Sequence, residues 1–241
     1  MIPRIGHSLA MLTFSDATIN FLESRQIRRD ELDMTFSIAL DHIAVAARSL
    51  EEGATYVEAV LGTKLSPGGK HAAMGTHNRL LSLGPHCYLE VIAIDPEAPK
   101  PRHRRWFNLD NYAAAPRVTN WICSTDDLDV ALDAAPAGSG SPMRLTRGDV
   151  SWRMAVSEFG RLPYDDAMPA LIEWSEGAHP NKRLPDRGLK LTRLDVFHPS
   201  AEDLLKAFPH LGTMPEVSLR VGPEKRLIAT ISTPEGNRNL A

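Results

Sequence analysis

Three groups of residues carry side chains able to hold a small polar molecule. Gly75-Thr76-His77-Asn78-Arg79 sets a glycine, three hydrogen-bonding side chains and a cation in a row between two strand-like runs. Such a segment can orient a carboxylate or a carbonyl, which makes His77, Asn78 and Arg79 candidate substrate-binding residues. Its plainer reading is a polar hairpin that satisfies its own backbone. Arg147-Gly148-Asp149 can clamp an anion or close a turn with a local Arg–Asp pair. Four tryptophans complete the inventory. Trp121 and Trp174 follow the polar residues Asn120 and Glu173, so they face the opposite side of their strands and read as core. Trp106 and Trp152 are left to line a pocket for an apolar or ring-bearing ligand.

Strand parity adds two candidates. Leu40, His42 and Ala44 share one face of a strand, with Ile43 and Val45 on the other. Tyr88, Glu90 and Ile92 share a face, with Leu89 and Val91 opposite. The apolar sets suit a face covered by a helix, which leaves His42 and Glu90 on the uncovered side.

The elements that position these residues repeat. From Ile38, alternation predicts a strand, and Ser49-Leu50-Glu51-Glu52 is an N-cap with acidic residues in the first turn. The apolar stripe Ala54, Val57, Val60 and Leu61 extends that helix until Gly62 stops it. A turn at Pro67-Gly68-Gly69 leads to strands expected near 70–74, 79–83 and 88–94. The first module, 36–96, thus reads β-α-β-β-β. A proline-rich linker covers 97–116. A second β-α-β-β-β module occupies 117–176, its helix capped at Thr125-Asp126-Asp127. A third copy, 189–241, reads as truncated: a strand over 190–196, a helix opening at His198-Pro199-Ser200, and strands over 217–221 and 226–232. A unit met three times weighs more than any one element. Residues 1–33 read as an N-terminal extension with helical signal after Ser15 or Asp16, and Met34 reads as an alternative start.

Composition narrows the function. The chain has 241 residues, 43% hydrophobic and 24% charged, with a formal net charge of -3. That balance gives no general attraction to nucleic acid or to an anionic membrane, and no apolar run has the roughly 20 residues of a spanning helix. Arg102-His103-Arg104-Arg105 reads as a solvated charge run. Two cysteines, Cys87 and Cys123, form no zinc motif and suggest a reducing, cytoplasmic setting. The expected partner is a small-molecule ligand, and the chain is a monomer or a homodimer.

The repeat order and several phrases resemble the glyoxalase-like domain proteins of the vicinal oxygen chelate superfamily. The phrases are Leu40-Asp41-His42-Ile43-Ala44-Val45, 71–81, 88–96, Arg105-Trp106-Phe107, Arg147-Gly148-Asp149 and 169–174. The resemblance covers about 38–241. It implies an α+β fold in which repeated β-α-β-β-β modules form a curved, cup-shaped mixed sheet. It also implies metal ligands on the first and last strand of each paired module. Aligning the two helix starts, Leu50 with Leu128, carries His42 to Asn120, and Glu173 sits in a phrase like that of Glu90. The implied metal set is His42, Glu90, Asn120 and Glu173, suited to a divalent Zn, Ni, Mn or Fe. Glu173 or Glu90 would then be the catalytic base of a metal-assisted lyase or isomerase acting on a small chelating oxo compound. The alternative is a metal-free protein that sequesters a small molecule, as bleomycin-resistance relatives do. A ring-cleaving dioxygenase ranks last, because His42 would need His71 or His77 as its second histidine.

Overall fold

A computed structural model describes residues 36–241. The extension expected over 1–33 and the reading of Met34 lie outside the described residues.

The first module runs β1 (Ile38–Ala46), α1 (Leu50–Leu61), β2 (Ser66–His71), β3 (Thr76–Ser82) and β4 (Tyr88–Ile94). The second runs β5 (Arg117–Thr125), α2 (Leu128–Ala134), β6 (Ser141–Arg147), β7 (Val150–Val156) and β8 (Ala170–Trp174). Caps set both helices. The Ser49 hydroxyl accepts from the Glu52 N–H, and Gly62 ends α1 in the left-handed region at φ 68°. The Asp127 carboxylate accepts from the N–H groups of Asp129 and Val130.

These eight strands form one curled, half-barrel sheet in the order β2-β3-β4-β1-β5-β8-β7-β6. Within each half the first strand pairs parallel with the last, β1 with β4 and β5 with β8, and the halves join through the antiparallel pair β1–β5. The helices cover one face. A Cβ on Gly53 of α1 would stand 2.5 Å from Val91 Cγ1, so bare backbone lets the helix settle on the Ile43, Val45, Leu89 and Val91 side. His42 and Glu90 occupy the other, inner face.

The structure shifts some expected elements. Pro67-Gly68-Gly69 lies inside β2 rather than in a turn, with a register shift between Pro67 and Lys70. A Cβ on Gly68 would fall 2.1 Å from Asn78 Oδ1, so glycine here answers to the approach of β3 and not to a reversal of the chain. Thr76 to Arg79 are strand residues of β3, and the reversal lies in the turn before them, which Gly75 closes at φ 59°. Arg105 leaves the expected solvated run: it is buried and pairs with Asp110 at 2.6 Å.

The third unit holds β9 (Lys190–His198), α3 (Ala201–Ala207), β10 (Val217–Val221), β11 (Arg226–Thr233) and β12 (Gly236–Leu240). It is not truncated. Its strands form a separate sheet, β10-β9-β11-β12. β12, Gly-Asn-Arg-Asn-Leu, is an exposed edge strand without apolar alternation, which is why periodicity passed over it.

Candidate functional site

The inner face opens into a cleft lined by His42, His71, Tyr88, Glu90, Trp106, Phe107, Arg147, Trp152, Met154, Ile172 and Trp174. It encloses about 300 Å³ of empty space, part of it open to solvent. The first module supplies the polar wall. The second supplies an aromatic and aliphatic one, with Trp152 opposite Trp174 and Met154 opposite Ile172 on paired strands. Trp106, on a 3-10 turn of the linker, closes the cleft against His71 with ring centroids 5.2 Å apart.

The polar wall is a chain of buried ionisable groups. His42 Nδ1 lies 2.6 Å from Asp41 Oδ1, and His42 Nε2 lies 3.6 Å from Glu90 Oε2. Asp41 is the extra residue of a β-bulge, between Leu40 paired with Cys123 and His42 paired with Ile122. The bulge re-aims a side chain that strict alternation would send away. Asp41 Oδ2 also accepts from Trp174 Nε1 at 2.8 Å and lies 3.2 Å from His179 Nε2. Tyr88 stacks on His42 with centroids 4.3 Å apart.

Protonation states follow from these contacts. Burial opposes charge on Asp41, but hydrogen bonds from His179 and His42 outweigh it and hold the carboxyl at about 2. Burial likewise works against Glu90, and the facing His42 imidazole 3.6 Å away, with the hydrogen bond from Asn78, brings it to about 2. His42 also loses solvation, yet its hydrogen bond to Asp41 and the nearby Glu90 carboxylate raise its pKa above the ordinary value. The array is carboxylate, imidazolium, carboxylate.

His71 differs. Burial lowers its pKa to about 4, so near neutrality it carries no charge. Its Nε2 faces two donors, Asn78 Nδ2 at 3.3 Å and Arg147 Nη1 at 3.4 Å, while Nδ1 lies 3.0 Å from Thr76 Oγ1. The proton therefore sits on Nδ1 and the Nε2 lone pair lies on the cleft side. The site thus offers a protonated imidazole able to donate, an ionised carboxylate, and a neutral imidazole able to accept.

Of the predicted metal set, the structure brings His42 and Glu90 together and separates the rest. Glu173 lies on the helix-covered face. Its Oε2 accepts from the Leu128 N–H at 3.0 Å and from Arg153 Nη1 at 3.2 Å, so it holds the start of α2 and neither ligates nor acts as base in the cleft. Matching the phrase around Glu173 to that around Glu90 was off by one residue, and one residue along a strand exchanges the faces. Trp174, expected in the core, takes the inner face for the same reason. Asn120 shares the inner face, opposite Ala44, but does not line the cleft. The four-residue set therefore does not fit a metal. Among the described residues, no three His, Cys, Asp or Glu side chains gather as a metal cluster.

Of the predicted substrate-binding residues, Trp106 and Trp152 line the cleft. Asn78 stands behind it, donating from Nδ2 to Glu90 Oε1 at 2.5 Å and accepting from the Gly69 N–H at 2.8 Å. Its neighbours His77 and Arg79 alternate to the other face, and Arg79 approaches Glu51 of α1 at 3.6 Å, so neither reaches the cleft. Sequence reasoning missed Asp41, which needs the bulge; of the two readings given to Arg147, the local pair with Asp149 does not form, because Asp149 pairs with Arg183 at 2.7 Å. His71 enters the sequence reading only as an unaligned second histidine for a dioxygenase, alongside His77.

Three solved structures are similar to parts of this chain. A hypothetical protein from Staphylococcus aureus is similar over 78% of this chain and 88% of its own, with 14% identity and a TM-score of 0.53, a likeness of fold alone. The Mn(II)-bound glyoxalase from Novosphingobium aromaticivorans is similar over 82% of this chain and 79% of its own, with 13% identity and a TM-score of 0.45. Methylmalonyl-CoA epimerase from Mycobacterium tuberculosis is similar over 56% and 87%, with 19% identity and a TM-score of 0.38. A comparison with curated proteins yields no match. The family model described as "Glyoxalase-like domain" matches residues 40–212, well over half of the chain, and with the two modules and their half-barrel sheet this makes the protein a member of the glyoxalase-like family.

Proposed function

We propose that this chain binds a small ring-bearing molecule in the inner cleft without a metal, as a sequestering protein does. The observation that carries this is the composition of the cleft's second half. The strand that brings Glu173 to the outer face puts Ile172 and Trp174 inward, where the second pair of ligands would have to stand. An aromatic and aliphatic wall facing one polar wall suits a ring with a single polar group. Two buried indole N–H groups in that cleft, Trp106 Nε1 and Trp152 Nε1, have no hydrogen-bond partner among the described residues. A buried donor without a partner costs about 1 to 3 kcal/mol, and a ligand oxygen relieves it.

Fluorescence tests the reading, because three tryptophans line the cleft. Phenylpyruvate, a ring with an oxo-acid head, should quench EDTA-treated protein saturably, with the same midpoint after Mn(II), Zn(II) or Ni(II) is added. Quenching or turnover that appears only with one of these metals overturns the reading and restores the metal-assisted lyase or isomerase.

A further inference from the structure

We infer that Arg147 anchors an anionic group of the ligand at a neck between the inner cleft and a second, outer basin, so that the ligand is an elongated acid. This rests on the binding reading above and adds the ligand's charge and length.

The outer basin is lined by Ser66 to Lys70, Leu80, Gly148 to Val150, Pro180 and Arg183 to Pro185, and encloses about 1070 Å³ of space, open solvent included. Arg147 lines both cavities. It ends β6, and β6 and β2, the two ends of the eight-stranded sheet, touch across the mouth of the half-barrel. The arginine stem crosses that seam over bare backbone. A Cβ on Gly69 would stand 2.7 Å from Arg147 Cγ and 2.8 Å from its Cδ.

Three cations line the basin, and two are already neutralised. Lys70 pairs with Asp95 at 3.0 Å and Glu97 at 2.6 Å, and Arg183 pairs with Asp149 at 2.7 Å. Among the described residues Arg147 has no carboxylate partner. Its one side-chain hydrogen bond is the 3.4 Å approach to His71 Nε2, and its guanidinium carbon lies 5.9 Å from the centroid of the Trp152 ring. A guanidinium presents five N–H donors in a flat fork, most of them unused here. The unpartnered indole N–H groups of Trp106 and Trp152 belong to the same cleft and are fully buried. Both rings pack edge-on to His71, the residue Arg147 touches. The two unpartnered indole N–H groups thus belong to rings packed on His71 beside the arginine, and a carboxylate there meets cation and indole together.

The test compares 4-phenylbutyrate with 4-phenylbutanamide, matched in shape and differing in charge, by tryptophan quenching of the full chain. The acid should bind roughly ten- to a hundredfold tighter, the range for a charge-assisted hydrogen bond. Arg147→Gln should abolish the difference between acid and amide, and Arg147→Lys should keep part of it. Gly69→Ala, which displaces the arginine stem without changing charge, should weaken the acid more than the amide. An unchanged melting temperature shows that each variant is folded. Equal binding of acid and amide by the natural chain, or a preference that survives Arg147→Gln, overturns the inference and leaves the cleft reading intact. Failure of both probes, and of phenylpyruvate, to quench the natural chain overturns the two together.

Discussion

Acidifying the protein from about pH 7 to about pH 5 should remove stability through one residue, His71. Its imidazole is buried and neutral, with a pKa lowered by burial from the ordinary 6.5 to about 4. In the unfolded chain it protonates near its ordinary value, so between these limits the unfolded state binds more protons than the folded one. Stability then rises with pH across this window and is lost as pH falls. The full drop is worth about 3 kcal/mol at about 1.4 kcal/mol per pH unit, and about 2 kcal/mol of it falls between pH 7 and pH 5. Asp41 and Glu90, both near 2, act with the same sign but lower down, since their stabilisation is lost only as pH falls below the unfolded carboxylate range. His42, whose pKa is raised, has the opposite sign. Its stabilisation is complete below the ordinary histidine value and is lost as pH rises through the folded one. Urea denaturation of the natural chain and His71→Asn, at intervals from pH 7 to pH 5, isolates the residue because the other groups are common to both. The natural chain should lose about 2 kcal/mol more than the variant across that span. Parallel losses in the two proteins would refute the assignment of His71 as a buried neutral base.

Glu173→Ala should lower stability by about 1 kcal/mol, the usual cost of a lost helix cap, because its carboxylate accepts from the first N–H of α2. Phenylpyruvate quenching should not change, and a large loss of binding would return Glu173 to the site. Asn78→Ala should cost about 2 to 3 kcal/mol in urea denaturation, since it strips a donor from buried Glu90 and an acceptor from the half-buried Gly69 N–H at once. A cost below that of an ordinary surface change would show that water replaces the amide.

Periodicity, caps and turn residues determine most of the architecture without help from tertiary structure. Ser49, Asp127 and Gly62 mark helix ends by chemistry local to the chain, and Ile43, Val45, Leu89 and Val91 name the face a helix must cover. The same alternation puts His42 and Glu90 on the inner face, since a strand offers two faces and the apolar one is taken. Local signal could not choose a face for β8. Its inner-face aliphatic and aromatic residues and its outer-face glutamate look alike in sequence to a strand turned the other way, and only pairing with β7 decides. Asp41 depends on a bulge that appears when β1 meets β5, 71 to 87 residues further along the chain. Arg147 depends on the curl of the whole sheet, which brings its two ends into contact over Gly69. Local rules act over a few residues and are written into them. The site is assembled from strand register and sheet closure, which exist only once distant segments have packed.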